Sequence, residues 1–393
     1  MAIGTQIHKR RNILGLTMQD LVDRVSDQGV SLSKAAISKY EKGQSVPRAS
    51  VLRSLSHALD CSTEYLLKEA KQDIQWLRFR KRVRLKKRLE LEVKEAATEW
   101  LEARMLVDES VGRERRSFHL PSITVDHVDE AEGVAEKIRG IWNLGEWPIE
   151  SLSLVIEKSG VIVVEIEADG DLDGLSGVAD GDIRFVVISA GTPVDRMRMN
   201  LAHELGHLVI KPTEDERFDE AAAFRFGAAL LIPRSVIFDR IGERRRTLDL
   251  QELILLKEEY GMSVQALIRR CYDLNVVGEW TYRQLNIEMR KRGWHKEEPG
   301  DCSQLERPTQ FRSDLLRCIS EGILSEGELR AMYPDVAGKM SPLEAESTWK
   351  WGNLRSMPKQ DRDKALKNAA EQSISEYAEG GSLSDLELID DDE

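Results

Sequence analysis

His203-Glu204-Leu205-Gly206-His207 constrains this chain more than any other five residues, because it calls for a helix carrying two imidazoles on one face. Residues four apart lie about 40° apart around a helix axis, so His203 and His207 project together and can hold one metal ion between them. Glu204 falls beside that edge, where its carboxylate can take a proton from water and pass it later to a leaving amine. Leu201, Leu205 and Leu208 occupy the other faces and lock the helix into a core, while Gly206 leaves room for a close neighbour. The chain has 7 His in 393 residues. At that frequency His-Glu-x-x-His arises by chance on the order of 0.01 times in such a chain, so the pair is read as a metal site and not as two surface histidines.

A catalytic zinc needs a third protein donor and one open position. Glu220 is the favoured donor, because it starts a run of small residues, Glu220-Ala221-Ala222-Ala223, able to pack against the histidine helix. Glu214, Asp215, Glu216 and Asp219 compete, although carboxylates at a helix start often only complement its dipole. Two imidazoles and a carboxylate favour Zn2+, with manganese or iron as substitutes.

The front of the chain has a different character. Residues 1–67 show helical spacing in short units, with Ile7, Ile13, Leu14, Leu21, Val25, Ile37, Val51, Leu55 and Leu59 as core positions. Thr17 and Ser33 stand where N-caps are needed, and Gly43 to Pro47 breaks a helix. Five short helices are expected. Residues 33–41 have the spacing of the second helix of a helix-turn-helix, which would offer Ser33, Lys34, Ala35, Ser38 and Lys39 to base edges and phosphates of double-stranded DNA. Residues 1–120 carry 24 Lys and Arg against 16 Asp and Glu, whereas the remainder carries 33 against 53. Only the front is therefore suited to a polyanion.

Residues 69–106 lack Gly and Pro and are expected to be helical, with eight cations in the eleven residues from Arg78 to Arg88. Such a run is either a solvated face or a phosphate contact, and its place beside a DNA-binding unit favours contact. Beyond it, helices are expected at 134–142 and 149–158. Two β-rich runs, 161–166 and 183–188, are separated by a Gly/Asp-rich connection, and helices follow at 193–209 and 215–231. Cys61, Cys271, Cys302 and Cys318 form no Cys-x-x-Cys pair, which argues against disulfides or a thiolate metal site. No apolar run of about 18 residues is present and Met1 to Lys9 has no signal character. No membrane partner is expected, and the cytoplasm is the expected compartment.

Arg196 to His207, followed by Glu220-x-x-Ala223 and Leu230-Leu231-Ile232-Pro233, resembles the ImmA/IrrE metallo-endopeptidase family. Glu157-Lys158-Ser159-Gly160-Val161 before it is similar as well. So are Met262-Ser263, Ala266-Leu267, Gly293-Trp294 and Glu298-Pro299 after it. That resemblance implies a minimal thermolysin-like zinc fold with His203, His207 and Glu220 as ligands and Glu204 as the catalytic carboxylate. Its implied substrates are repressors, cut to release stress or mobile-element genes. The front, with Gly4, Ile7, Arg11, Gly43 and Pro47, resembles the XRE (lambda-repressor-like) domain, which implies an Arg11–Glu41 pair. Met18 stands where that family commonly has a DNA-contacting Gln, and Gln19 lies one place along.

The expected organisation is multidomain. An all-α helix-turn-helix domain (1–69) and a basic helical linker (70–127) precede an α+β zincin-like metallopeptidase domain (128–300). A C-terminal helical region (301–375) and an acidic disordered tail (376–393) follow. The expected function is a DNA-binding regulatory zinc endopeptidase, acting as a homodimer, that cleaves an XRE-type repressor or other partner in stress, mobile-element or phage-defence responses. The alternative is a transcriptional regulator whose metal domain senses a ligand or partner without proteolysis.

Overall fold

Five short helices open the chain, α1 (Ala2–Ile13), α2 (Met18–Ser26), α3 (Lys34–Glu41), α4 (Ala49–Ala58) and α5 (Thr63–Leu67). They are seen in a computed structural model that describes residues 2–68, 74–81, 87–112, 120–167, 172–295, 297–302 and 306–340. Thr17 starts α2 with a capping box, accepting from the Asp20 N–H at 3.2 Å while the Thr17 N–H donates to Asp20 at 2.7 Å. Ser33 starts α3 by accepting from the Ala36 N–H. Ile7, Leu21, Val25, Ile37, Leu55 and Leu59 are fully buried, and each such side chain contributes roughly 1.5–3 kcal/mol. Ile13, Leu14 and Val51 sit half-buried at the margin of this core. The Arg11 guanidinium reaches Glu41 with two bonds, 2.6 and 3.0 Å, and so fixes α1 against α3.

Residues expected to form one long helix divide instead into β1 (Ile74–Lys81) and α6 (Lys87–Ser110). Ile74, Trp76 and Phe79 are residues that suit a pleated surface, and a free sheet edge overrides the helix preference of the intervening Arg and Lys. A 3₁₀ turn (Val128–Glu130) then leads to α7 (Ala131–Ile141), α8 (Leu152–Lys158), β2 (Ile162–Ile166), β3 (Leu172–Ala179) and β4 (Ile183–Ser189). Helices α9 (Val194–Val209), α10 (Glu216–Leu231), α11 (Arg234–Arg240), α12 (Leu250–Tyr260), α13 (Val264–Asp273) and α14 (Glu279–Lys291) follow. The described part closes with α15 (Gln310–Ser320), α16 (Glu326–Met332) and α17 (Pro334–Met340). Residues 82–86 of the basic run, residues 341–375 and the acidic tail at 376–393 lie outside the described residues.

The sheet runs β1-β3-β4-β2, with β2 parallel to β4 and the other two pairings antiparallel. The connection expected between the two β-rich runs is thus itself the strand β3. One sheet face packs Leu175, Phe185 and Val187 against Val93, Ala97 and Leu101 of α6. The other turns Val163, Val186 and Ile188 toward Leu201 and Leu205 of α9, within the large helical core. Arg198 of α9, wholly buried, pairs with Glu306, whose carboxylate also accepts from the Leu152 and Ser153 N–H groups at 2.7 and 2.9 Å. From Met197 to Val209 every residue of α9 is buried.

Helix α6 also carries the helix-turn-helix unit. Lys9 of α1 and Lys68 both reach Glu102, at 3.0 and 2.6 Å, and Arg10 pairs with Asp335 of α17. Beside them Glu99 is 1% exposed and accepts from the Tyr65 hydroxyl at 3.3 Å and the Asp335 N–H at 3.4 Å. Burial, reinforced by Asp335 and opposed by Arg10, pushes the Glu99 carboxyl from 4.5 up to about 7. The folded form then binds a proton that the unfolded chain has lost, so stability falls as pH rises from about 4.5 to about 7 and levels off above. Glu99→Gln is expected to flatten that slope and to raise the melting temperature at pH 8 by a few degrees, on the order of 2 kcal/mol. Thermal melts at pH 5 and pH 8 check it. An unchanged slope would assign the titration to another group.

Candidate metal centre

Helices α9 and α10 meet at their small residues. A Cβ on Gly206 would lie 3.0 Å from the Ala223 Cα, and one on Gly227 would lie 3.0 Å from the His203 backbone nitrogen. The bare backbones therefore touch, and this brings Glu220 of α10 to the histidines of α9. The His203 and His207 Nε2 atoms are 3.0 Å apart, and the Glu220 carboxylate lies 3.4 and 3.2 Å from them. Donors bonded at about 2.0–2.1 Å around a tetrahedral zinc stand about 3.3 Å from one another, so this donor set fits that ion in both spacing and chemistry. The two imidazoles are buried and Glu220 is 35% exposed, which leaves one side of the triad open to solvent. Burial alone would raise the Glu220 carboxyl, but hydrogen bonds from His203 and His207 hold it well below the usual carboxylate range.

The competing carboxylates have other duties. Asp219 accepts from the Thr213 N–H at 3.0 and 3.1 Å and from its hydroxyl at 2.8 Å, which ties down the loop before α10. Asp215 is the N-cap of α10. Glu214 and Glu216 are exposed.

Glu204 is 1% exposed and lies against β3, where a Cβ on Gly174 would come within 2.8 Å of its Cγ. The neighbouring Asp173 pairs with Arg196 at 2.8 Å, holding β3 to the first turn of α9. Gly174, Asp173 and Arg196 border the candidate site, a placement that periodicity could not reveal because it depends on a strand pairing. A groove of about 1000 Å³ borders His203 and Glu220, with Phe224, Arg269, Tyr282, Trp294 and His295 on its walls. Its far side is set by Glu298, which pairs with Lys257 at 3.3 Å and accepts from the Val264 N–H at 2.6 Å.

The candidate DNA surface lies at the other end of the chain. Ser33, Lys34, Ala35 and Lys39 are exposed on α3 and Ser38 is half-buried. Gln19 is exposed on α2 and donates to Asp23 at 2.6 Å. Glu41 is held below its usual range despite its burial by bonds from His8 and Arg11.

A helical unit with a solvent-facing second helix, followed by an α+β unit with an His-Glu-x-x-His helix, defines a DNA-binding regulator with a metallopeptidase-like domain. More specifically, residues 7–66 match the helix-turn-helix family model of XRE type, and residues 156–272 match the model of the IrrE N-terminal-like domain of peptidase family M78. The chain therefore joins these two domains in that order. No curated protein matches it.

Proposed function

We propose that the chain is a DNA-binding regulatory endopeptidase that uses Zn2+ to cut a protein partner, an XRE-type repressor in particular, and so controls transcription in stress, mobile-element or phage-defence responses. The observation that carries this reading is Glu204, a buried carboxylate that follows His203 on the helix bearing two donors of a three-donor cluster, since a purely sensory site needs no base there. In this reading residues 1–69 bind operator DNA as a homodimer in the cytoplasm, residues 128–300 catalyse and residues 70–127 join them. His203, His207 and Glu220 would hold the zinc, which supplies Lewis acidity toward a peptide carbonyl and acidifies water when bound. Glu204 accepts a proton at its carboxylate oxygens and returns it to the leaving nitrogen. Arg269, Tyr282 and His295 are among the polar side chains on the groove walls, where they can meet a bound chain.

The test combines metal content with cleavage. The purified full chain is expected to hold one zinc, and His203→Ala and Glu220→Ala are each expected to lose it, with affinity falling by more than the 10–100-fold that supporting residues typically contribute. Zinc retained at full stoichiometry in either variant would break the ligand assignment. A comparison of cleaved protein termini in cells with and without active enzyme then seeks the substrate.

A further inference from the structure

The sheet edge nearest the catalytic carboxylate is already occupied. Strand β3 carries Gly174 against Glu204, is bonded to β4 on one side and presents its other side to β1. A sheet edge is a template for an extended peptide, and here it is the edge that runs beside the candidate base. Strand β1 fills it antiparallel, pairing Ile74 with Ala179, Gln75 with Val178 and Trp76 with Gly177. Toward its far end Phe79 pairs with Leu175 and Lys81 with Leu172, so Arg80 falls opposite Asp173 and Gly174. We propose that Ile74–Lys81 is a built-in occupant of the substrate edge. A polypeptide is cleaved as an extended strand on β3, and β1 holds that place until it is displaced. This inference rests on the peptidase reading above.

Two further observations fit a strand that can leave. Its near end is anchored, since Trp76 meets Phe185 edge to face at 5.2 Å and Ile74 packs on the α6 side of the sheet. Its far end is irregular, with register shifts between Trp76 and Arg78 and again between Phe79 and Lys81. Each shift interrupts the ladder, so pairing is weakest beside Gly174, where a substrate would enter.

A reversible lock tests this. Gln75, exposed, and Val178, half-buried, are cross-strand partners. In antiparallel pairs the Cα atoms lie about 4.5–5.5 Å apart, within disulfide reach. In the zinc-loaded full chain carrying Gln75→Cys and Val178→Cys, oxidation is expected to reduce hydrolysis of a fluorescence-quenched unfolded casein at least about tenfold, with recovery on reduction. The wild type, whose own four cysteines are free, is the control. Phe79→Pro should act in the opposite sense, raising hydrolysis by about tenfold or more and exposing the Leu175–Ala179 amides to hydrogen exchange. A second readout needs no catalysis. In the Glu204→Gln background, a fluorescein-labelled peptide with the sequence of Ile74–Lys81 should bind the reduced or Phe79→Pro chain at least about tenfold tighter than the oxidised one. Peptide binding and hydrolysis both indifferent to the lock would overturn the proposal and leave the peptidase reading standing. Lock-dependent peptide binding without any hydrolysis would uphold the occupied edge and overturn the peptidase reading.

Discussion

Replacing Glu204 with glutamine is expected to leave one zinc per chain and to lower peptide-bond hydrolysis on the order of 10²–10⁴-fold, the range that a positioned general base contributes. The substitution is nearly isosteric, so the contact with Gly174 persists and neither α9 nor β3 has to move. The donor cluster of His203, His207 and Glu220 keeps all its atoms. What is lost is the ability to accept a proton at that point, because a carboxamide oxygen is a far weaker base than a carboxylate. Single-turnover cleavage by wild type and variant, measured on zinc-loaded chains in the same buffer, separates the chemical step from binding. A fall of less than about tenfold would remove Glu204 from the role of base. Transcriptional control that is identical in cells carrying either form would instead favour a metal domain that senses without cutting.

The parts of this site legible in the sequence are those built from contiguous periodicity. The spacing of His203 and His207 places both imidazoles on one face of α9, and the small residues after Glu220 foreshadow its contact with that helix. Thr17 and Ser33 announced their helices because a cap acts within three residues of itself. Strand β3 was not legible. Asp173, Gly174 and Gly177 disfavour a strand, yet in the fold the missing side chains are what admit Glu204 at one position and Phe185 with the Gln75 carbonyl at the other. Strand β1 was hidden for the opposite reason, since its Arg and Lys are good helix formers and only the vacant edge of β3 selects the extended form. The Arg198–Glu306 pair joins residues 108 apart, and no local pattern marks either as buried.

Lys34→Ala with Lys39→Ala is expected to weaken binding of the full chain to its operator on the order of tenfold to a hundredfold and to lower the slope of log affinity against log salt by about 2 per chain, or about 4 for a dimer. Both lysines are exposed on α3. Ile37 anchors that helix in the core and Ser33 caps it, so neither support is touched. Alanine favours the helix at least as well as lysine, so the melting temperature should not change, and a loss of binding then reports lost contacts and not a lost fold. The slope distinguishes phosphate contact from base reading. If it falls, the lysines release counterions from the backbone, while if affinity falls at constant slope they read base edges. Unchanged affinity and unchanged slope would remove α3 from the DNA surface and direct attention to the eight cations between Arg78 and Arg88. Those residues border and include the end of β1 that pairs with β3 next to Gly174, so DNA contact there would couple DNA binding to the strand proposed to occupy the substrate edge.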